Sequence, residues 1–466
     1  MKLDLEFVIT SINGKLLGGD RANWVEGVAT DSRLIKPGQV FFALRGDQFD
    51  GHDYVEAALQ AGAAAVVISQ TERLPIGPNP VAVIMVQDTL VALQELAAKY
   101  RQLFSLPIVA VTGSVGKTTT KDMLADCLAA DYQTLKTPGN FNNEIGLPLT
   151  LLSLETAHGA AVVELAMRAP GEISHLARIL RPTYAIITNV EPVHLETMGS
   201  LENIAKAKCE LLEFIAPDKF ALINGDNELL VKTAQPFPLI KYTFGFNSTC
   251  DLQILRVDLT DGGMNVTLRW WDRIDKFFFP IPAPKLAPNL AAAAGTAYLM
   301  GLSPESIQES LSHYIPSGNR LHITHLAAGG AVINDTYNAN PVSMAAALEV
   351  CKDISAGRRM VAVLGDMLEL GDYEIEGHLQ VGKTVAALGL DMLVTIGPRA
   401  AYIGRGAKLN GMAPERIKHY PSRAESLPGL SSYAGPQDVV LFKASRGMGL
   451  EILVNDWMLA VNGGSR

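Results

Sequence analysis

The sequence predicts an α/β protein of three domains. A small α/β N-terminal domain precedes a central mononucleotide-binding domain on a mostly parallel sheet, and a C-terminal domain of Rossmann-like character follows. Three observations carry this prediction. A glycine-rich turn, Thr112-Gly113-Ser114-Val115-Gly116-Lys117-Thr118-Thr119-Thr120, joins an apolar strand pattern to a helical one. Strand and helix patterns alternate from Pro107 onward, the rhythm of a parallel sheet covered by helices. A second βα series begins near Gly318. The 466 residues leave room for roughly two to four domains, and the expected division is 1–104, 105–314 and 315–466.

In the first unit, 40–44 reads as a buried strand, 54–61 as a helix and 64–68 as the next strand. The stretch 69–80 holds three prolines and reads as loop. Apolar residues recur at helical spacing from Thr89 to about Leu103, until Ser105-Leu106-Pro107 breaks the pattern. In the second unit, strands are expected at 108–112, 161–164, 184–188 and 220–224, with helices at 117–130, 172–180 and 201–215. Residues 237–281 interrupt the rhythm, and the alternation Met264-Asn265-Val266-Thr267-Leu268 predicts antiparallel strands added to the sheet. An alanine-rich helix, suited to close packing, is expected over 289–300. In the third unit, strands are expected at 331–334, 360–364, 392–396 and 439–442, with a helix starting near Pro341. The last four residues, 463–466, are expected to be disordered.

Composition excludes several classes. Hydrophobic residues are 48% and charged residues 19%, as in a soluble protein with a large core. A net charge of -9 argues against a general nucleic-acid binder. No signal-peptide or membrane-span pattern is present, which predicts no membrane insertion. Cys127, Cys209, Cys250 and Cys351 are widely spaced and suggest neither a zinc site nor disulfides. Together these features predict a cytoplasmic protein.

The turn at 112–120 is the strongest chemical signal. Its glycines let backbone N–H groups turn toward phosphate oxygens, and the following helix adds its N-terminal dipole. Lys117 suits β/γ-phosphate, and the Thr118 hydroxyl suits Mg2+. The longer phosphate-loop pattern places Gly where this chain has Val111, so this is the shortened variety. Glu164 ends a strand of the same sheet, and His194 follows another. Ligands of open α/β sheets bind at the carboxyl ends of strands. Glu164 there is either an oxygen ligand for magnesium or a solvated strand end, and His194 either joins the site or stands behind it. Lys206 and Lys208 read as a charged helical face. A buried, neutral lysine amine can also take up carbon dioxide as a carbamate.

The motif order resembles the Mur ligase family. The segments are TGSVGKTTT at 112–120, NFNNEIGLPLTLL at 140–152, ELAMRAPGEI at 164–173 and ITNVEPVHLE at 187–196. They continue with AKAKCELLE at 205–213, NRL at 319–321, NDTYNANPVSM at 334–344 and VLGDMLELG at 363–371. The segment at 31–55 extends the resemblance over nearly the whole chain. It implies an ATP-dependent ligase of peptidoglycan synthesis that passes through an acyl phosphate. The DTYNANP and GDMLELG segments are most similar to members joining D-alanyl-D-alanine to UDP-N-acetylmuramoyl-tripeptide (UDP-MurNAc-tripeptide).

Carried over by position, the resemblance implies that Thr112 to Thr119 cradle ATP. Thr118, Glu164, His194 and a carbamylated Lys208 would hold magnesium. Lys117, Lys208, His194 and Arg320 would serve catalysis. Asn289 would lie against adenine, Arg320 at the phosphates and Asp335 at the ribose. Ser32, Arg33, Asn140, Asn142 and Asn143 would contact the UDP-sugar. Tyr337, Asn338 and Asn340 are further substrate candidates, although N-capping before Pro341 competes for the two asparagines. The protein is expected to be a monomer. Two departures stand out: Pro288 replaces a histidine, and Met167-Arg168-Ala169-Pro170 replaces a segment carrying an Asn-His pair. His52 reads as a loop anchor or substrate contact, and Asp366 and Glu369 as solvated loop residues or neighbours of the incoming amine. Other readings are a diaminopimelate-adding ligase, a folylpolyglutamate synthase, a phosphate-loop kinase and a non-catalytic nucleotide binder.

Overall fold

The computed structural model describes residues 2–18, 24–46, 49–72, 74, 81–193, 195–260, 262–271 and 273–463. Among these residues the strands form one sheet of nine strands, one of six, one of five and a two-stranded pair. The five-stranded sheet belongs to the N-terminal unit. Val28–Ala29, Val40–Phe42, Ala65–Ile68 and Ala82–Met85 run parallel, and Lys15–Gly18 pairs antiparallel at the edge. Residues 69–72 and 74 take no helix or strand, while the remainder of the expected loop, at 73 and 75–80, lies outside the described residues.

The nine-stranded sheet is the frame of the site. Ile108–Thr112 lies between Ala160–Glu164 and Tyr184–Ile187, all three parallel. The strands are fully or nearly fully apolar because helices cover both faces. One expectation needs correction. Ile240–Gly245, inside the stretch read as antiparallel, pairs parallel to Phe220–Asn224. The reason is a short helix, Glu228–Ala234, capped by Asn227, which carries the chain back across the sheet. The antiparallel additions are Gly263–Trp270 and Arg273–Phe279. The helix expected over 201–215 also ends early. Leu201–Cys209 is α-helical and Glu210–Phe214 tightens to a 3-10 turn, where Glu210 accepts from the N–H groups of Gly171 and Ser174.

The alanine-rich helix is Ala287–Leu299, and Ala291 to Ala294 and Ala297 are completely buried. It packs so closely that a Cβ on Gly295 would come within 2.0 Å of Leu252. Pro288 stands in its first turn, where its missing N–H forfeits no helical bond. Trp270 stacks on Tyr298 and meets Phe277 edge to face, sealing that end of the core.

The six-stranded sheet has the order His322–His325, Ala331–Asp335, Val439–Lys443, Met360–Gly365, Met392–Ile396, Ile417–Tyr420, with only the first strand antiparallel. The edge strands at 322–325 and 417–420 escaped the sequence reading because they are short and half polar. Gly463 closes the last helix, Leu450–Gly463, contrary to the expected disorder there, and 464–466 lie outside the described residues.

Between the two larger sheets runs the Ser317–Leu321 link. Ser317 donates to Asp122 of the phosphate-loop helix. Asn319 instead accepts from the Tyr337 N–H at 3.1 Å and from the Asn334 amide at 3.3 Å. Gly318, at φ 62°, is the residue between these two anchors.

In the C-terminal unit the helices Glu374–Leu388 and Ala401–Leu409 touch through glycine. A Cβ on Gly382 would lie 2.1 Å from the Ile403 carbonyl oxygen and 2.6 Å from the Ala407 nitrogen. Both are backbone atoms, so the helices must separate to admit a methyl group. We predict that Gly382→Ala destabilises this unit by about 1–3 kcal/mol, read as a lower thermal midpoint; an unchanged or raised midpoint contradicts the packing described.

Candidate active site

The three central strands deliver Gly113, Glu164 and the Thr188-Asn189 pair to one rim of the sheet, as register dictates. Close approach makes both loop glycines necessary. Gly113 has φ 148°, and a Cβ there would lie 1.9 Å from Thr188 Oγ1. Gly116 has φ 85°, in the left-handed region, and its Cβ would lie 2.1 Å from Asn289 Nδ2.

The loop is braced from three sides. Ser114 and Val115 donate their backbone N–H groups to Asn189 Oδ1 at 3.1 and 2.9 Å. Thr188 Oγ1 donates to the Val115 carbonyl at 2.6 Å. Ser114 Oγ donates to the Glu191 carbonyl at 3.1 Å and accepts the Glu191 N–H at 2.9 Å. From the far helix, Asn289 Nδ2 donates to the Gly116 carbonyl at 3.1 Å and to Thr120 Oγ1 at 2.9 Å. Thr112 is fully buried and donates to the Leu165 carbonyl at 3.0 Å, a tie between strands rather than a site contact.

Lys117 starts the Lys117–Leu128 helix and folds its ammonium over the loop, donating to the Gly113 carbonyl at 2.8 Å and the Ser114 carbonyl at 3.3 Å. Burial lowers its pKa; Glu164 opposes that and Arg320 adds to it. Thr118 Oγ1 donates to Glu164 Oε2 at 2.6 Å, and Asn142 Nδ2 donates to Oε1 at 2.8 Å. Glu164 is 2% exposed, which removes the solvated-strand-end reading. The two lysines expected on one helix part company: Lys206 is exposed, whereas Lys208 is buried. Burial first, then Lys117, drives the Lys208 pKa well below that of a free lysine. Its amine is therefore held toward the neutral form.

A cavity of about 860 Å³ separates this rim from the C-terminal sheet. Ser114 to Thr119 with Glu164 and Asn289 form one wall, and Arg320, Asp335, Tyr337, Asn338 and Asn340 form the other. Asp335 is held by Lys443 Nζ at 2.5 Å and accepts the Leu321 N–H at 3.1 Å. Lys443 also donates to the Asn338 carbonyl at 2.8 Å. The Arg320 guanidinium lies 3.9 Å from the Tyr337 ring centre, and that of Arg446 lies 5.0 Å away. Lys443 and Arg446 escaped the sequence reading. Their signal is the Lys443-Ala444-Ser445-Arg446 run at the carboxyl end of an interior strand, the same rule that located Glu164.

Some expected residues have local work. Asn340 caps the Pro341–Ser355 helix in a reciprocal pair with Ser343, and Asn338 accepts the Ala339 N–H at 2.9 Å, although both line the cavity. Asn143 accepts the Gly146 N–H at 2.9 Å, at the start of the Gly146–Leu151 helix; with Asn140 and Asn142 it lines the cavity. Ser32 and Arg33 are not brought there. They sit on a short turn of the N-terminal unit, where Arg33 pairs with Asp31 at 2.6 Å. His194 lies outside the described residues. His52 is a loop anchor, held by Asp50 at 2.6 Å and accepting the Ser69 N–H at 2.9 Å. Asp366 is buried under the Ala400 N–H, while Glu369 reaches the cavity and Arg168, at 3.3 Å.

A sheet that ends in a loop shaped for phosphate, facing a second α/β sheet that brings cations of its own, is the architecture of an enzyme that uses a nucleotide and a further substrate together. Family models agree on which one: the Mur ligase catalytic domain matches residues 25–101, the middle domain 111–297 and the glutamate ligase domain 319–446. The chain belongs to the Mur ligase family. It is similar to the UDP-N-acetylmuramoyl-tripeptide–D-alanyl-D-alanine ligase of Bacillus subtilis, 39% identical over 93% of each chain. Among solved structures it is similar to MurF from Acinetobacter baumannii, with a TM-score of 0.87, 31% identity and coverage of 98% and 99%. It is also similar to the MurF ligase of Thermotoga maritima in complex with ADP, with a TM-score of 0.82, 26% identity and coverage of 95% and 99%.

The depressed pKa of Lys208 sets a sign for stability against pH. Between its folded and unfolded pKa values the unfolded chain binds the extra proton, so stability rises with pH across that window. We predict that Lys208→Met, in carbonate-free buffer, raises the thermal midpoint more near neutral pH than near pH ~10, where free lysine titrates. A mutant-minus-native difference that does not vary with pH contradicts this.

Proposed function

We propose that this protein joins D-alanyl-D-alanine to UDP-MurNAc-tripeptide, converting ATP to ADP and phosphate, as a step of peptidoglycan synthesis. The observation carrying this reading is that the phosphate loop and the cations of the C-terminal unit share one cavity. The near full-length similarity to a D-alanyl-D-alanine ligase supplies the substrates.

A carboxylate does not condense with an amine at neutral pH, because its oxygen is a poor leaving group. The tripeptide carboxylate therefore attacks the γ-phosphorus of ATP, ADP departs, and an acyl phosphate results. The dipeptide amine, having lost its proton, attacks the acyl carbon. The tetrahedral species then expels phosphate and leaves the amide. Phosphoryl transfer needs positioning and charge neutralisation above all. Lys117 supplies charge from the loop, and Arg320 from the link between the sheets. The N–H groups at the helix start, after Gly116, hold the phosphates. Asn289 and Asp335 are proposed to meet adenine and ribose. Ser32, Arg33, Asn140, Asn142 and Asn143 are proposed to meet the UDP-sugar. Closure about Gly318 would exclude water from the acyl phosphate.

Thr118 and Glu164 offer the hard oxygen donors magnesium prefers, and they already converge within hydrogen-bonding distance. His194 and Lys208, the latter as its carbamate, complete the proposed ligand set; the neutral, buried amine described above is the form that takes up carbon dioxide. The metal would supply further neutralisation of phosphate charge. Among the described residues no helix is long and apolar enough to cross a membrane. We place the reaction in the cytoplasm and, since both cavity walls belong to one chain, in a monomer.

Phosphate release is expected only when ATP, UDP-MurNAc-tripeptide and D-alanyl-D-alanine are all present. Release without the dipeptide, or a stably phosphorylated acceptor, would instead indicate a hydrolase or kinase. Lys117→Ala is expected to lower turnover by at least about 100-fold, and residual full turnover would remove its role. Lys208→Ala is expected to lose activity and to regain part of it with added short carboxylic acids; full activity without them would remove the carbamate.

A further inference from the structure

Arg446 has no part in the roles assigned so far. It follows the interior strand Val439–Lys443 and begins the short turn Arg446–Met448. The turn is fixed by its neighbours: the Ser445 N–H donates to the Asp366 carbonyl at 3.0 Å, and Ser445 Oγ accepts the Leu368 N–H at 2.9 Å. Arg446 lines the cavity with Arg320, and both guanidiniums lie against the Tyr337 ring. Among the described residues neither forms an ion pair with a carboxylate. Among the described residues the Tyr337 hydroxyl, shut off from solvent, has no hydrogen-bond partner. Two unpaired cations and an unpaired hydroxyl around one ring make a place for anions.

The two cations are not equivalent. Arg320 stands on the link and is close enough to depress the pKa of Lys117. Arg320 thus belongs with the triphosphate. Arg446 stands after an interior strand of the C-terminal sheet, on the cavity wall that faces the phosphate loop, and Leu368 and Glu369 line the same cavity. The second substrate carries one permanent anion, its terminal carboxylate, and a guanidinium binds a carboxylate with two parallel hydrogen bonds.

We propose that Arg446 clamps the C-terminal carboxylate of the incoming dipeptide, and so selects a free-acid dipeptide and orients its amine toward the acyl phosphate. This rests on the function proposed above.

The test uses D-alanyl-D-alanine and its C-terminal amide as alternative amines with the full-length protein. The native protein is expected to prefer the free acid. Arg446→Met is expected to lose about 10- to 100-fold in kcat/KM for the acid, mainly through KM. It should lose little for the amide, so the preference collapses toward unity. KM for ATP and for UDP-MurNAc-tripeptide should stay as in the native protein, which also verifies folding. Arg446→Lys should restore part of the preference. An undiminished preference in Arg446→Met, or a rise in the ATP KM in its place, overturns the assignment. Absence of dipeptide-dependent phosphate release by the native protein would instead sink the proposed function.

Discussion

The structure depends on how the phosphate loop is tied down. A loop that turns its N–H groups toward a polyanion is electrostatically unfavourable to itself, since parallel amide dipoles repel. Here the cost is offset by acceptors and donors from outside the loop. Asn189 takes two of the N–H groups, Thr188 holds the Val115 carbonyl, and Asn289 holds the Gly116 carbonyl. These braces come from the neighbouring strand and from a helix about 170 residues further along the chain. The loop is therefore shaped before any phosphate reaches it, and little reorganisation is left for the binding step. The same closeness explains the glycines at 113 and 116, where a methyl group would collide with the braces themselves.

A second consequence follows for charge. The rim collects Lys117 and Lys208 where water is scarce; beyond the effect of burial, Arg320 lowers the proton affinity of Lys117, and Lys117 lowers that of Lys208. Glu164, the carboxylate that opposes the lowering at Lys117, is already committed to Thr118 and Asn142. A site with this balance is poor at holding cations on its lysines and well suited to receiving several negative charges together. That is what a triphosphate provides. Burial and Lys117 hold the Lys208 amine toward the neutral form, whereas Lys206 is exposed to solvent.

Much of this was legible in the sequence, for identifiable reasons. Ile108–Thr112, Glu172–Leu180, Phe220–Asn224 and Met392–Ile396 fell where periodicity put them, because buried parallel strands and amphipathic helices have strong patterns. The parallel strand at 240–245 was misread because the helix before it is only 7 residues long, too short for its period to register. Glu164 was legible as a strand end, whereas Asp335 came only from the resemblance, its strand being expected to end at 334. Lys443 and Arg446 obey the same rule, but a basic residue after a strand is common enough to pass unnoticed. What sequence could not supply was partnership: that Asn143 accepts the Gly146 N–H, that Asn289 holds the loop, and that Ser32 and Arg33 stand apart from the main cavity.

The division of groups across the cavity accounts for why the chain needs more than one sheet. Lys117, Thr118 and Glu164 belong to the central sheet, Arg320 to the link, and Lys443 and Arg446 to the C-terminal sheet. No single unit holds the full set of charges that an acyl phosphate and its attacking amine require. The link itself is pinned at Ser317 to one side and at Asn319 to the other, so any change of angle is concentrated at Gly318. The loop's braces stand within the central sheet and its helices, whereas Arg320 and the second wall come from the link and the C-terminal sheet. An enzyme built this way can keep its phosphate chemistry fixed in the central sheet while the residues after the C-terminal strands decide which amine is accepted.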